Sequence, residues 1–170
     1  TKFNTGDTLD FHCFVKPTSK TMVLDARLRQ QVVSAFDPND KQSDKQKIAP
    51  DETSLEYHIR FQNLGNDSAV SVFIVDTISP SLPMQYIRVL GNSHSPQYKL
   101  NYKIRDHAII WSFNDIYLPP KSTAGDLQSS GFVTMKAGLA GNLKPGDKIE
   151  NQAHIYFDYQ DPVATNVAST

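Results

Sequence analysis

The side chains best suited to chemistry in this 170-residue sequence are oxygen donors that cluster at two places. Asp37, Asn39 and Asp40 lie in one Asp-Pro-Asn-Asp run, and Asp158 begins a second run, Asp-Tyr-Gln-Asp. Ca²⁺ takes roughly six to eight oxygen ligands, which is more than one short loop usually supplies. If the two runs meet, the sequence predicts one calcium site formed by Asp37, Asn39, Asp40 and Asp158. The alternative is an ordinary turn in which the Asp and Asn side chains bond their own backbone.

A second candidate is a polar residue on an apolar strand face. Alternation over residues 149–157 places Asn151 on the side that carries isoleucine, alanine and phenylalanine. A buried amide without partners costs about 1–3 kcal/mol, so Asn151 must find them. One interpretation is that it pins a neighbouring loop. The other is an isopeptide bond to a lysine beside a carboxylic acid such as Asp76 or Glu56, although no lysine lies clearly on an apolar face.

The other reactive side chains show no catalytic spacing. The single cysteine, Cys13, excludes an intrachain disulfide, and its alternation with apolar neighbours predicts a small buried residue. No nucleophile elbow or carboxylate pair is recognisable, so we expect no enzymatic activity. The histidines are scattered, without a pair at zinc-ligand spacing: His12, His58, His94, His107 and His154.

Aromatic residues raise the alternative of carbohydrate binding. Trp111 shares a face with Ile109 and Phe113, so we expect it in the core. Five tyrosines in or near loops are candidates for a platform on which a sugar ring stacks. They are Tyr86, Tyr98, Tyr102, Tyr117 and Tyr159.

The elements that position these residues are short strands. Apolar and polar residues alternate with period two in repeated blocks separated by Gly, Pro, Asn and Asp. No stretch of a dozen residues shows helical apolar spacing. This pattern predicts an all-β sandwich or barrel. The predicted strands cover residues 55–61, 69–75, 84–90, 107–113, 128–137 and 148–158.

A polar, charged stretch at residues 37–52 interrupts this rhythm and is interpreted as a linker or long loop. Gly-Asp-Thr-Leu at 6–9 resembles Gly-Asp-Lys-Ile at 146–149, and both look like the turn that enters a late strand. We therefore predict that residues 1–35 are closing strands of a preceding module or an N-terminal extension. Residues 36–170 then form one sandwich module.

Charge and hydropathy limit the partners. A net charge of −1 with dispersed charged residues gives no reason to expect nucleic acid or an anionic membrane. No apolar run approaches the roughly 20 residues of a membrane helix. The first residues lack a signal-peptide pattern, so we expect any export signal to have been removed or to lie outside this sequence.

Several motifs in succession give the chain a family resemblance over roughly residues 36–168. They are FDPNDK (36–41), LEYHIRFQNLGND (55–67), VDTI (75–78), GNSH (91–94), WSFNDIYLP (111–119), SGFV (130–133) and IENQAHIYFDYQDPVATN (149–166). This series resembles the uncharacterised domain that precedes the type IX secretion sorting tail in large secreted proteins of Bacteroidetes. It is also similar to the "conserved repeat domain" of bacterial surface proteins.

The resemblance implies an immunoglobulin-like antiparallel β-sandwich, a secreted or cell-surface location, and neighbouring domains of the same polypeptide as partners. It implies no biochemical activity. We therefore expect a non-catalytic extracellular spacer module, stiffened by Ca²⁺. The alternative is an adhesion module that binds a glycan or a surface protein.

Overall fold

The structure is a computed structural model that describes residues 8–15, 24–31, 38–94 and 101–170, with side chains from 38–94 and 102–170. The chain divides into two compact units, Thr1–Asp37 and Pro38–Thr170. In the first unit, β1 (Thr8–Val15) pairs antiparallel with β2 (Leu24–Gln31). Cys13 and His12 lie on β1, but their side chains are outside the described residues, as is Asp37.

The second unit is built from ten strands within the described residues. They are β3 (Asp40–Ser43), β4 (Ser54–Gln62), β5 (Val72–Thr77), β6 (Ile87–Asn92), β7 (Asn101–Arg105), β8 (Ala108–Phe113), β9 (Ser130–Gly138), β10 (Glu150–Phe157), β11 (Val163–Ala164) and β12 (Ala168–Ser169). One sheet has the order β3-β4-β9-β6 and the other has the order β11-β10-β5-β8-β7, with β12 also paired to β10. All of these pairings are antiparallel.

The two sheets enclose one apolar core because each central strand buries alternate residues, as a half-buried strand must. β4 and β9 supply one face, and β5, β8 and β10 supply the other. Phe61 of β4 reaches Phe113 of β8 with ring centroids 5.2 Å apart. Trp111 is fully buried, as its alternation predicts. The predicted all-β antiparallel sandwich is confirmed.

The structure differs from the sequence-based expectation in several elements, among them β7, β11 and β12, which none of the predicted strands covers. The stretch interpreted as a linker contains β3, an edge strand that pairs with β4. The strand expected from residue 69 begins at Val72, since Ala69 instead forms an isolated bridge with Leu118. A short helix, α1 (Lys121–Gln128), was not predicted, and Gly125 breaks it with a positive φ of 74°.

Among the residues that the structure describes, the other helical segment is the 3₁₀ turn Met84–Tyr86. Across the described parts of the chain, the helices are too short and too polar to traverse a lipid bilayer.

Candidate functional site

A lysine and an aspartate meet inside the apolar core. Lys41 lies opposite Ile59 in the β3–β4 pair, so its side chain enters the space between the sheets. Asp76 enters the same space from β5 of the other sheet. Both side chains are fully excluded from solvent, and Lys41 Nζ donates a hydrogen bond to Asp76 Oδ1. The lysine that the sequence did not reveal on an apolar face is therefore Lys41.

Asn151 lies beside this pair. Its strand, β10, pairs with β5 so that Ala153 is opposite Asp76, and Asn151 lies two residues earlier on the same face. Such diagonal neighbours have Cα atoms about 7–8 Å apart. Asn151 is buried, and its Oδ1 accepts a hydrogen bond from the backbone N–H of Ser79 at 2.6 Å. The amide thus pins the segment after β5, which is one of the two roles considered for it.

Tyr57 completes what we call the buried polar cluster: Lys41, Tyr57, Asp76 and Asn151. The Tyr57 ring centroid is 4.9 Å from Lys41 Nζ. Three polar atoms of the cluster have no hydrogen-bond partner among the described residues: the Tyr57 hydroxyl, Asp76 Oδ2 and Asn151 Nδ2. Unsatisfied buried groups are rare in folded proteins and call for an explanation.

Burial sets the protonation of the cluster. Desolvation lowers the pKa of Lys41 and raises the pKa of Asp76, and the attraction between the two side chains opposes both shifts. Desolvation also raises the pKa of Tyr57 to about 12, although the polar side chains of Asn151 and Thr170 nearby oppose this shift. The apolar surroundings therefore favour an uncharged amine next to a protonated carboxylic acid. An uncharged amine is a nucleophile, and a carboxylic acid can transfer a proton.

The end of the chain holds β3, and hence Lys41, in place. The backbone N–H of Lys41 donates to Asn166 Oδ1, and Asn166 Nδ2 donates to the Lys41 carbonyl, each at 3.0 Å. Further along, the Thr170 hydroxyl donates to the Lys45 carbonyl at 2.9 Å and contacts the Ser43 hydroxyl. Residues 165–170, which we call the terminal segment, therefore run beside β3 in the same direction.

The residues predicted to bind calcium each have a protein partner where the structure describes them. Asn39 Oδ1 accepts the backbone N–H of Gln62 at 3.1 Å. Asp40 pairs with Arg60 through both carboxylate oxygens, one of them 2.6 Å from Arg60 Nε. Asp158 Oδ1 accepts the backbone N–H of Ser71 at 2.7 Å. Over residues 38–94 and 102–170, no three His, Cys, Asp or Glu side chains are placed to hold a metal ion.

The tyrosines considered for a sugar platform lie on the surface wherever they are described. Tyr102 of β7 is half exposed, and its ring centroid is 5.9 Å from that of Trp111. Tyr86, Tyr117 and Tyr159 are also exposed. Tyr98 lies outside the described residues.

Similar folds occur in bacterial surface proteins. The N-terminal domain of the adhesin Sgo0707 of Streptococcus gordonii is 17% identical to this chain in sequence, with a TM-score of 0.57. The match covers 80% of this chain and 33% of the Sgo0707 chain. BcpA, the major pilin subunit of Bacillus cereus, is 12% identical with a TM-score of 0.55, covering 94% of this chain and 47% of its own.

A third similar structure is the collagen-binding subdomain of the Enterococcus faecalis surface protein ACE. It is 12% identical with a TM-score of 0.51, and the match covers 79% of this chain and 97% of that one. This chain thus spans about a third of the Sgo0707 chain and about half of the BcpA chain. At these identities the likeness establishes the immunoglobulin-like sandwich fold alone.

No protein of curated function matches the sequence significantly. Residues 37–170 match the family model described as "Domain of unknown function (DUF7619)". Because the match covers most of the sequence, the chain belongs to the DUF7619 family.

Proposed function

We propose that residues 38–170 form a non-catalytic structural module of a larger secreted or cell-surface protein, and that the module carries tension along the polypeptide. The observation behind this proposal is the parallel course of β3 and the terminal segment. Lys41 adjoins Asn166 near the start of both, and Ser43 and Lys45 adjoin Thr170 near the end.

This arrangement decides how the module responds to force. Tension applied between residue 38 and residue 170 pulls the start of β3 and the end of the terminal segment apart along their common direction. Their connecting hydrogen bonds are therefore loaded together, in shear. A hairpin pulled open from one end instead breaks its bonds one after another. Resistance to forced unfolding depends on the unfolding rate, which shear loading keeps low.

The similarity to adhesin and pilin domains supports a surface location and a structural or adhesive role. The motif series described above supports the narrower proposal that the parent protein is a Bacteroidetes protein exported by type IX secretion. In that setting the partners are the neighbouring domains of the same polypeptide.

The test is force spectroscopy of the full chain carrying Cys13→Ser, tethered through pairs of introduced cysteines. Pro38→Cys with Thr170→Cys loads β3 against the terminal segment in shear. The second tether, Lys144→Cys with Thr170→Cys, pulls at a position before β10 and at the end of β12. Because β12 pairs antiparallel with β10, this tether unzips the terminal segment from β10. We expect a clearly higher rupture force for the first tether. Equal forces in the two geometries would contradict the proposal.

Calcium is a separate element of the proposal. Ca²⁺ bound through Asn39, Asp40 and Asp158 would stiffen one end of the module, and a chelator would then lower the melting temperature. Asp40→Ala alone is a poor test because it also removes the pair with Arg60. The useful comparison is wild-type protein with added Ca²⁺ and with chelator. Identical melting curves would remove calcium from the proposal.

The second candidate is a binding module for a protein or glycan. It is favoured by the half-exposed pair Tyr102 and Ile104 on β7, and by the collagen-binding domain among the similar structures. Retention on immobilised collagen or on soluble polysaccharide in affinity electrophoresis, lost in Tyr102→Ala and kept in Tyr159→Ala, would support it. If the protein is retained neither on collagen nor by polysaccharide, the binding role is contradicted and the structural role is the remaining proposal.

A further inference from the structure

The buried polar cluster holds three groups whose combination is unusual in an apolar core. Lys41 and Asp76 are fully buried, and Asn151 is 2% exposed. Lys41 and Asp76 touch, Asn151 lies diagonally from Asp76 on the adjacent strand, and both Lys41 and Asn151 adjoin Tyr57. Replacing such a polar group by apolar residues often stabilises a protein, so stability alone does not account for it.

The unsatisfied atoms point to chemistry. Asn151 is held by its oxygen alone, because Oδ1 accepts the Ser79 N–H while Nδ2 has no partner. Asp76 likewise uses Oδ1 for Lys41 and leaves Oδ2 without a partner. The leaving-group nitrogen of an amide and the free oxygen of an acid are thus both buried without a partner, on the same face of adjacent strands.

We propose that Lys41 Nζ and Asn151 Cγ become joined by an intramolecular isopeptide bond, with Asp76 as the catalytic residue. The Lys41 amine attacks Cγ of the Asn151 side chain, and a new C–N bond forms. The Ser79 N–H, already on Oδ1, stabilises the negative charge that develops on this oxygen. Asp76 takes a proton from the attacking nitrogen and delivers a proton to Nδ2. The Cγ–Nδ2 bond then breaks.

The reaction balances without a co-reactant. A primary amine and a primary amide give a secondary amide and one molecule of ammonia, and Asp76 ends in the state in which it began. No oxidant, nucleotide or metal is consumed. Folding alone brings the reactants together. This proximity gives the amine a high effective concentration at the amide.

The electrostatics of the core support this reaction. A protonated lysine has no lone pair for the attack, and an ionised Asp76 has no proton to give. Burial opposes both charges, since it lowers the pKa of Lys41 and raises that of Asp76. Water is excluded from the cluster, so hydrolysis does not compete with attack by the amine.

The bond would join the first strand of the module to a strand near the end of its sequence. Lys41 lies in the first strand of the module, and Asn151 lies in β10, which pairs with the terminal segment. Tension entering at residue 38 would pass through the bond to residue 151 and on to residue 170, sparing the strands in between. The inference itself rests on the cluster and does not depend on the mechanical role proposed above.

The test is intact mass spectrometry of the purified, denatured full chain, followed by peptide mapping. We expect a mass lower by one ammonia than that of the sequence, and a branched peptide that joins the segments around residues 41 and 151. An unmodified mass in folded protein would overturn the inference. So would a loss of ammonia without a branched peptide, because cyclisation of any asparagine releases ammonia too.

Variants identify the reacting groups. Lys41→Met and Asn151→Ala should restore the full mass, whereas Lys45→Met, which removes a partly exposed lysine on the same segment, should leave the branched peptide unchanged. Asp76→Asn, which is nearly isosteric, should fold by circular dichroism and remain unlinked. A branched peptide at wild-type yield in Asp76→Asn would overturn the assignment of Asp76. The wild-type result decides the bond even if a variant does not fold.

Discussion

The side-chain amide of Asn166 binds the backbone of Lys41 as a neighbouring strand would: its Oδ1 accepts a hydrogen bond from the Lys41 N–H and its Nδ2 donates one to the Lys41 C=O, each 3.0 Å long. β3 is an edge strand, and an edge leaves backbone groups without sheet partners. One asparagine therefore supplies the two bonds that a further strand residue would make, and it fixes the backbone from which the Lys41 side chain enters the core.

Asn166→Ala should lower the free energy of unfolding by about 1–3 kcal/mol, because it leaves the N–H and C=O of Lys41 without these partners. Urea unfolding followed by far-ultraviolet circular dichroism measures the change. Val167→Ala, at a half-exposed neighbouring position, is the matched control and should stay within about 0.5 kcal/mol of wild type. Equal stability of the two variants would contradict the role given to Asn166.

Gly131→Ala should destabilise the sandwich by about 1–3 kcal/mol through overpacking. Gly131 lies opposite Phe61 in the β4–β9 pair, and a Cβ at this position would be 2.2 Å from the Phe61 ring. Gly141→Ala is the control, since a Cβ there meets nothing within 4 Å. Thermal unfolding distinguishes them, and Phe61→Leu in the Gly131→Ala background should recover part of the loss.

The sequence predicted the central strands because these strands have one buried face. Leu55 to Phe61 alternate strictly, and β4 buries Leu55, Tyr57, Ile59 and Phe61 in the structure. The same alternation assigned Asn151 to the core face of β10. Alternation also decides between Asp76 and Glu56 as the acid beside Asn151. Glu56 alternates away from the core, and its Oε1 lies 3.9 Å from Lys136 Nζ.

The sequence could not predict the burial of Lys41. β3 is four residues long and reads Asp-Lys-Gln-Ser, which carries no apolar alternation. Lys41 is buried because the terminal segment covers the edge of β3 that does not pair with β4, and because Asp76 of the other sheet faces the lysine side chain. These contacts join residues 35 and 125 positions apart. No local pattern encodes them.

The alkaline titration of the protein should reveal one late tyrosine. Burial raises the pKa of Tyr57 to about 12, above the value of about 10 for an exposed tyrosine. Its folded pKa exceeds its unfolded pKa, so its contribution to stability is complete below about pH 10 and is lost as the pH rises towards 12. Tyrosinate absorbance of the seven tyrosines measures this, and Tyr57→Phe should remove the late component. Complete ionisation well below pH 12 in folded protein would contradict the burial of Tyr57.

Lys41→Met should make the stability of the protein depend on pH in a direction that reports on Asp76. Burial raises the Asp76 pKa, and Lys41 opposes that shift, so removing the lysine raises the pKa further. An acid whose folded pKa lies above its unfolded pKa of about 3.9 makes its full contribution to stability below about pH 3.9. This stability is lost as the pH rises towards the folded pKa, by about 1.4 kcal/mol per pH unit.

Urea unfolding of Lys41→Met between pH 4 and pH 8 should therefore show the highest stability at the acid end. Lys41→Met with Asp76→Asn is the matched control, because its uncharged amide titrates nowhere in this range. The difference between the two variants isolates Asp76 from every other titrating group. A constant difference across the range would mean that the Asp76 carboxylate reaches water once Lys41 is gone, because only a carboxyl group that remains buried produces the slope.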